Sequence, residues 1–120
     1  MIVPVEIVLR GRDSAVTDAL VIPHGEPGTW DDAVVRELLV EVLRAIGRAE
    51  DPAVSPDRAV MLQGFSWIVE PLDGQVVIAI EIPMGAAVAG PINMEQAELD
   101  QRIARVLRAE RHDVAQRTVH

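Results

Sequence analysis

The segment "WIVEPLDGQVVIAIEIPMG", residues 67–85, decides the fold class of this chain. Two runs rich in Val and Ile flank Asp73 and Gly74, a pair of residues that favours the tight turn of a β-hairpin. Pro83 ends the second run, because proline cannot donate to a strand ladder. The sequence therefore predicts two antiparallel strands here, and the first extends back over residues 58–70.

Two further strands are predicted before this hairpin, at residues 2–10 and 16–23, where Val and Ile are again frequent. The later one ends in "IPHG", residues 22–25, which resembles "IPMG" at residues 82–85. A loop follows each of these two motifs. After each loop the apolar residues recur every three or four positions, which is typical of an amphipathic helix.

The two predicted helices have similar boundaries and a common motif. The first is capped by Thr29 and runs to Ile46, with Gly47 as its C-cap; the second is capped by Asn93 and runs to Glu110. The sequence "VLRA" occurs near the end of both, at residues 42–45 and again at residues 106–109.

We interpret the two halves, about residues 1–50 and 58–111, as a duplicated ββα unit in a single domain of residues 1–120. The predicted fold class is α+β: a two-layer sandwich in ββαββα order, with a four-stranded sheet and two helices on one face. A chance match of short motifs is the alternative to duplication and leaves the order of the elements unchanged. Residues 112–120 are predicted to be a frayed helix end.

Composition excludes several classes of function. The 120 residues carry 19 acidic and 11 basic side chains, a formal net charge of -8, and this charge disfavours binding to nucleic acid or anionic membrane. The basic residues are all Arg, a bacterial-like composition that excludes lysine nucleophiles, and the absence of Cys excludes thiol chemistry. With no signal peptide or long apolar segment, we expect a cytoplasmic protein.

The third predicted strand in chain order, which covers residues 58–70, carries apolar residues on both faces, and we expect it to be central in the sheet. One of its faces groups Met61, Phe65, Trp67 and Val69. If this face points away from the helices, it forms an apolar patch that a monomer should not expose. The prediction is a homo-oligomer formed through this face or through a strand edge; the alternative is that these residues pack under loops of their own chain.

His24 and Glu81 are the candidate acid–base residues. His24 stands at a strand end with Glu26, Asp31 and Asp32 nearby in the sequence, where proton transfer or a hard metal is conceivable. Glu81 interrupts an apolar strand, where burial could raise the pKa of its carboxyl group. A structural or solvated role for each residue is the simpler interpretation, and no spacing in the chain matches an established metal site.

The small-residue segment that follows residue 84 is a third candidate. Gly85, Gly90 and Asn93 lie in a predicted loop before a helix, where backbone N–H groups could approach a phosphate. This loop has neither a P-loop nor a dinucleotide-binding motif, and it contains no Lys. We therefore predict no cofactor.

The leading hypothesis for function is a small acidic self-associating protein that acts as a non-enzymatic interaction, adaptor or regulatory module. Its predicted partners are copies of itself, with another protein as a further option. One alternative is a small isomerase- or lyase-type enzyme whose site lies at the sheet face or the subunit interface. Another is an acidic immunity- or antitoxin-like protein with a basic partner.

Overall fold

The computed structural model describes the backbone of residues 1–118 and the side chains of residues 1–111. The chain is α+β, with two helices and a five-stranded antiparallel sheet. A short 3₁₀ turn, Pro27–Thr29, precedes the first helix. The elements follow in the order β1 (Ile2–Leu9), β2 (Val16–Val21), α1 (Asp32–Glu50), β3 (Ser66–Leu72), β4 (Gln75–Ile82), β5 (Gly85–Ile92) and α2 (Gln96–Thr118).

The strands lie in the order β2-β1-β5-β4-β3, and each neighbouring pair is antiparallel. The hairpin predicted around Asp73 and Gly74 joins β3 to β4, and both residues have positive φ angles, 50° and 80°. These angles fit the type of two-residue turn that follows the right-handed twist of paired strands. β3 lies at an edge of the sheet, so the prediction that it is central was wrong.

The predicted count of four strands was also wrong, because residues 85–92 form β5 at the centre of the sheet. This segment is rich in Ala and Gly, residues that are infrequent in strands, and its composition favoured a loop. Tertiary packing reverses that preference. Ala87 and Ala89 are buried on the helix-facing side, and α1 contacts β5, so small side chains allow the helix to lie close to the sheet.

Gly85 allows the closest approach between β1 and β5. A Cβ atom at this position would lie 2.4 Å from the backbone oxygen of Val8 and 3.0 Å from the Cα of Leu9. Contacts this short with backbone atoms cannot be relieved by a change of rotamer. The glycine predicted to belong to a ligand loop therefore has a packing role inside the sheet.

The fold does not confirm a duplicated ββα unit. "IPHG" leads out of the sheet toward the 3₁₀ turn and α1, whereas "IPMG" lies at the turn between β4 and β5. The second half of the chain accordingly has three strands before its helix. The two similar motifs therefore occupy different structural positions.

Both helices cover the same face of the sheet, as predicted for a two-layer fold. α1 contacts β1, β2 and β5, α2 contacts β3, and the two helices pack against each other. Burial of one fully enclosed Ile or Leu side chain stabilises such a fold by about 1.5–3 kcal/mol. The largest fully buried side chains include Ile7, Leu20, Ile22, Trp30, Leu38, Leu39, Ile46, Ile78, Ile80, Ile92, Leu99 and Ile103.

The start of α1 differs by a few residues from the prediction. Asp31, not Thr29, is the N-cap, and its carboxylate accepts a hydrogen bond of 3.0 Å from the backbone N–H of Val34. Trp30 is buried and donates through Nε1 to the backbone oxygen of Gly25 at 2.9 Å, which holds the preceding loop against the core. The helix continues past Gly47 to Glu50, so Gly47 is not its C-cap.

α2 begins at Gln96 and its backbone is helical to Thr118. Asn93 therefore precedes the helix and does not cap it; Leu99 donates its backbone N–H to the oxygen of Glu95 instead. The side chains of residues 112–120, predicted to be a frayed end, lie outside the described residues. Within the described part of the chain, neither helix combines the length and apolarity needed to cross a bilayer.

We predict that Gly85→Ala destabilises the fold by about 1–3 kcal/mol, because the added methyl group has no space beside the backbone of Val8. Urea unfolding followed by circular dichroism measures the change. Gly25→Ala is the matched control, because a Cβ at Gly25 meets no atom within 4 Å. Equal stability losses for the two variants would contradict the assignment of Gly85 as a packing position.

Candidate functional site

The face of the sheet that lies opposite the helices is exposed and largely apolar. Side chains alternate along β1, so that Ile2 and Val8 point away from the helices while Ile7 is buried. Val21 on β2 is 69% exposed, the highest value among the large apolar residues. We call this surface the open face; its central side chains are Pro4, Glu6, Val8, Ala19, Ile68, Glu70, Val77, Ala79, Glu81, Ala86 and Val88.

Three carboxylates interrupt the apolar surface of the open face. Glu6 is the register partner of Val88 on β5, Glu81 is the register partner of Ser66 and Ala86, and Glu70 lies on the edge strand β3. All three are exposed. They leave the open face acidic as well as apolar.

Glu81 lies where three shallow, open depressions meet. The first, of about 270 Å³, is lined by Val8, Arg10 and Gly85 among others. The second, of about 290 Å³, is mainly apolar and includes Ile68 and Val88. The third, of about 460 Å³, adds Phe65 and again includes Arg10. A carboxylate, a guanidinium group and apolar side chains therefore border one another at this end of the sheet.

The two edges of the sheet are protected against the addition of another strand. In β3, Pro71 has no N–H to donate, and Nε2 of Gln96 donates to the backbone oxygen of Val69 at 2.9 Å. In β2, the carboxylate of Asp18 accepts from the backbone N–H of Ala19 at 2.8 Å. Such features are a usual defence against edge-to-edge pairing.

The residues predicted to form an apolar patch do not lie on the open face. Val69 is 2% exposed and belongs to the core, and Trp67 and Phe65 are partly buried against the core. Met61 is 59% exposed but precedes β3 in an irregular segment. The prediction grouped Phe65, Trp67 and Val69 on one face of the strand and left open which face is exposed. The helices cover this face, whereas Ile68 on the opposite face is exposed.

His24 forms a surface pair with α1 and not a cluster with its sequence neighbours. Its Nε2 atom lies 3.1 Å from Oε2 of Glu37, and both side chains are about two-fifths exposed. Asp31 is occupied as the N-cap of α1, as described above. Within the described part of the chain, no group of three His, Asp or Glu side chains is arranged to hold a metal ion.

The predicted ligand loop is not a loop. Gly85 and Gly90 belong to β5, and Asn93 lies between β5 and α2. Gly90 has a φ angle of 130°, a value that favours glycine, and it lies opposite a register shift between Val76 and Ile78. The two glycines thus belong to a paired strand, whereas the prediction placed them in a loop before a helix.

A bidentate ion pair joins the two helices at their exposed surface. Nε and Nη2 of Arg105 on α2 each donate to the carboxylate of Asp32 on α1 at 2.9 Å. These hydrogen bonds hold the pKa of the Asp32 carboxyl below its ordinary value and raise the pKa of the Arg105 guanidinium. Because both groups are exposed, solvent screening limits what the pair contributes to stability.

We predict that Arg105→Gln raises the pKa of Asp32 toward its ordinary value, because the donors that stabilise the charged carboxylate are lost. A titration of the side-chain carboxyl resonances by NMR measures this shift. In the intact protein the pair stabilises the fold above the unfolded pKa of about 3.9, and this contribution is lost as the pH falls through the lower folded pKa.

Arg108→Gln is the control for this titration, because Arg108 is exposed on the same helix and makes no hydrogen bond to Asp32 within the described side chains. It should leave the pKa of Asp32 unchanged. If Arg105→Gln also leaves the pKa of Asp32 unchanged, the pair is not formed in solution.

No protein-family model, curated protein or solved structure matches this chain. The fold itself offers one extended surface for a function, the open face. Glu81 and Arg10 border the depressions at one end of that surface, and its exposed apolar side chains occupy the remainder.

Proposed function

We propose that this chain is a small acidic self-associating protein that acts as a non-enzymatic interaction or regulatory module, and that the open face is its contact surface. One observation supports the proposal above all others. Five large apolar side chains are exposed together on one face of the sheet: Ile2, Val8, Val21, Ile68 and Val88. Exposed apolar patches on a protein surface often mark a site of interaction.

The size of the open face is compatible with a specific contact. Its five strands contain six to eight residues each. At a strand spacing of about 4.8 Å and a rise of about 3.3 Å per residue, the projected area is roughly 500 Å². Two such faces together would bury on the order of 1,000 Å², which is about the minimum expected of a specific protein interface.

A second copy of the chain is the occupant that we propose for the open face. Sheets stack face to face at about 10 Å in many β-sandwiches, with apolar side chains from both sheets between them. The edges β2 and β3 carry protective features, which favours stacking through the face over strand addition at an edge. The assembled protein would then present its helices outward to other partners.

An acid–base enzyme is the second candidate function, and one observation favours it. Glu81 lies at the junction of three depressions, where a small substrate could contact a carboxylate. His24, the other predicted acid–base residue, contacts Glu37 on α1 and does not border these depressions. An enzymatic role would therefore depend on Glu81 without His24.

We predict that the protein forms dimers at micromolar concentration and that Val88→Glu weakens them by at least about tenfold, because a carboxylate replaces an apolar contact at the centre of the open face. Sedimentation velocity over a concentration series measures the dissociation constant. Ile68→Glu, on the edge strand β3, provides a second variant with less risk to folding.

Met61→Glu is the matched control, because Met61 is an exposed apolar residue that does not lie on the open face. It should leave the dimer intact. A wild-type protein that remains monomeric at about 100 µM, well above the usual range for a stable dimer, would refute the proposed function. Dissociation by Met61→Glu alone would place the contact elsewhere on the molecule.

A further inference from the structure

Half of the arginines with described side chains form ion pairs with carboxylates of the same chain. Among the described side chains, five form such ion pairs: Arg36 with Glu110, Arg44 with Glu41, Arg48 with Asp18, Arg102 with Glu98 and Arg105 with Asp32. Arg10 forms no ion pair within that part of the chain. It is also the basic residue that borders the open face, since it lines two of the depressions around Glu81.

We propose that Arg10 of one copy forms an ion pair with Glu81 of a second copy, across a twofold axis that runs along β5. This inference rests on the proposed function and adds to it the residues that set the orientation of the two copies. In a twofold arrangement the same pair forms twice, because the surface patch is identical in both subunits.

The strand order is compatible with a twofold axis along β5. β5 is the middle strand, with β1 and β4 as its neighbours and β2 and β3 outside them. Rotation about an axis along β5 places β1 of one copy over β4 of the other, and β2 over β3. The pairing of Arg10 with Glu81 therefore requires no rearrangement of either sheet.

The register of the strands sets the offset between the two residues along the strand direction. Val8 and Glu81 are both register partners of Ala86, so they stand at the same level along the sheet. Arg10 lies two residues beyond Val8, which is about 7 Å along the strand. An extended arginine side chain spans a distance of this order, so its guanidinium can reach the partner's Glu81.

The open-face side chains of β5 favour a close approach at the axis. Ala86 and Val88 would each lie near the same residue of the second copy, and neither is large enough to hold the two sheets apart. The depression between Val8, Arg10, Glu81 and Gly85 is open to solvent in the single chain. The second copy would cover it and exclude water from the ion pair.

The ion pair would determine the orientation of the copies more than their affinity. The apolar side chains supply a non-directional attraction, and many relative rotations of two flat faces would satisfy them. Glu6, Glu70 and Glu81 penalise rotations that bring carboxylates together, whereas contact between Arg10 and the partner's Glu81 favours one of them. Partial desolvation of the pair offsets part of its attraction.

Charge reversal tests the pairing directly. Arg10→Glu and Glu81→Arg should each weaken the dimer by at least about tenfold, because each places like charges at both symmetric contacts. The double variant, which reverses the pair, should return the dissociation constant to within about threefold of the wild type. Sedimentation velocity measures all four proteins, and circular dichroism verifies that each is folded.

A mixture of the two single variants tests the same contact without the double variant. In a heterodimer of Arg10→Glu with Glu81→Arg, both symmetric contacts again join opposite charges, so native mass spectrometry should detect the mixed dimer where each variant alone is monomeric. Arg108→Glu and Glu50→Arg are the controls, since both residues are exposed on the helices. Neither should affect the dimer.

The outcomes separate this inference from the proposed function. The pairing of Arg10 with Glu81 is overturned if the dimer survives both single reversals. It is also overturned if neither the double variant nor the mixture restores the dimer. Both results leave the open face as the proposed contact surface. A wild-type protein that is monomeric overturns both proposals together.

Discussion

The side chains of a β-strand alternate between two faces, and in this chain helices cover only one of them. The most deeply buried side chains of the sheet therefore lie on the helix side, as Val3, Val5 and Ile7 do along β1. A two-layer fold of this kind always leaves one face of its sheet without intramolecular cover. The properties of that face follow from the residues that alternation places there, and here they are unusually apolar.

The centre of the sheet depends on residues that lack bulky side chains. Gly85 lets the backbone of β1 approach β5, and Ala87 and Ala89 let α1 approach the sheet. On the open face the same strand contributes only Ala86 and Val88. β5 is thus compact on both faces, and this property links the stability of the sheet to the shape of its open face.

Charge is distributed unevenly over the two layers. The helices carry most of the arginines, and among the described side chains five of these are paired with carboxylates, as Arg105 is with Asp32. The open face instead combines apolar residues with Glu6, Glu70 and Glu81, and Arg10 stands at its border. Self-association of so acidic a chain would need selective neutralisation of this kind, because unpaired like charges would oppose the proposed contact.

The sequence by itself determined the α+β class, the strands β1, β2 and β4, the hairpin at Asp73 and Gly74, and the approximate positions of both helices. These features depend on local periodicity and on turn chemistry, which are properties of neighbouring residues. The sequence also predicted that His24 follows a strand and that Glu81 lies within one, but it did not predict which residues surround them. His24 contacts Glu37, which is separated from it by the first turns of α1.

Only the tertiary structure decided the number of strands, their order and the face that stays open. The sequence did not predict β5, because Ala and Gly favour a strand only where a helix and two neighbouring strands leave no space for larger residues. The strand β3 carries apolar residues on both faces, so alternation grouped Trp67 with Val69 but could not say which group the helices cover. The packing of α2 determines which face of β3 is covered, since burial depends on contacts between residues far apart in the chain.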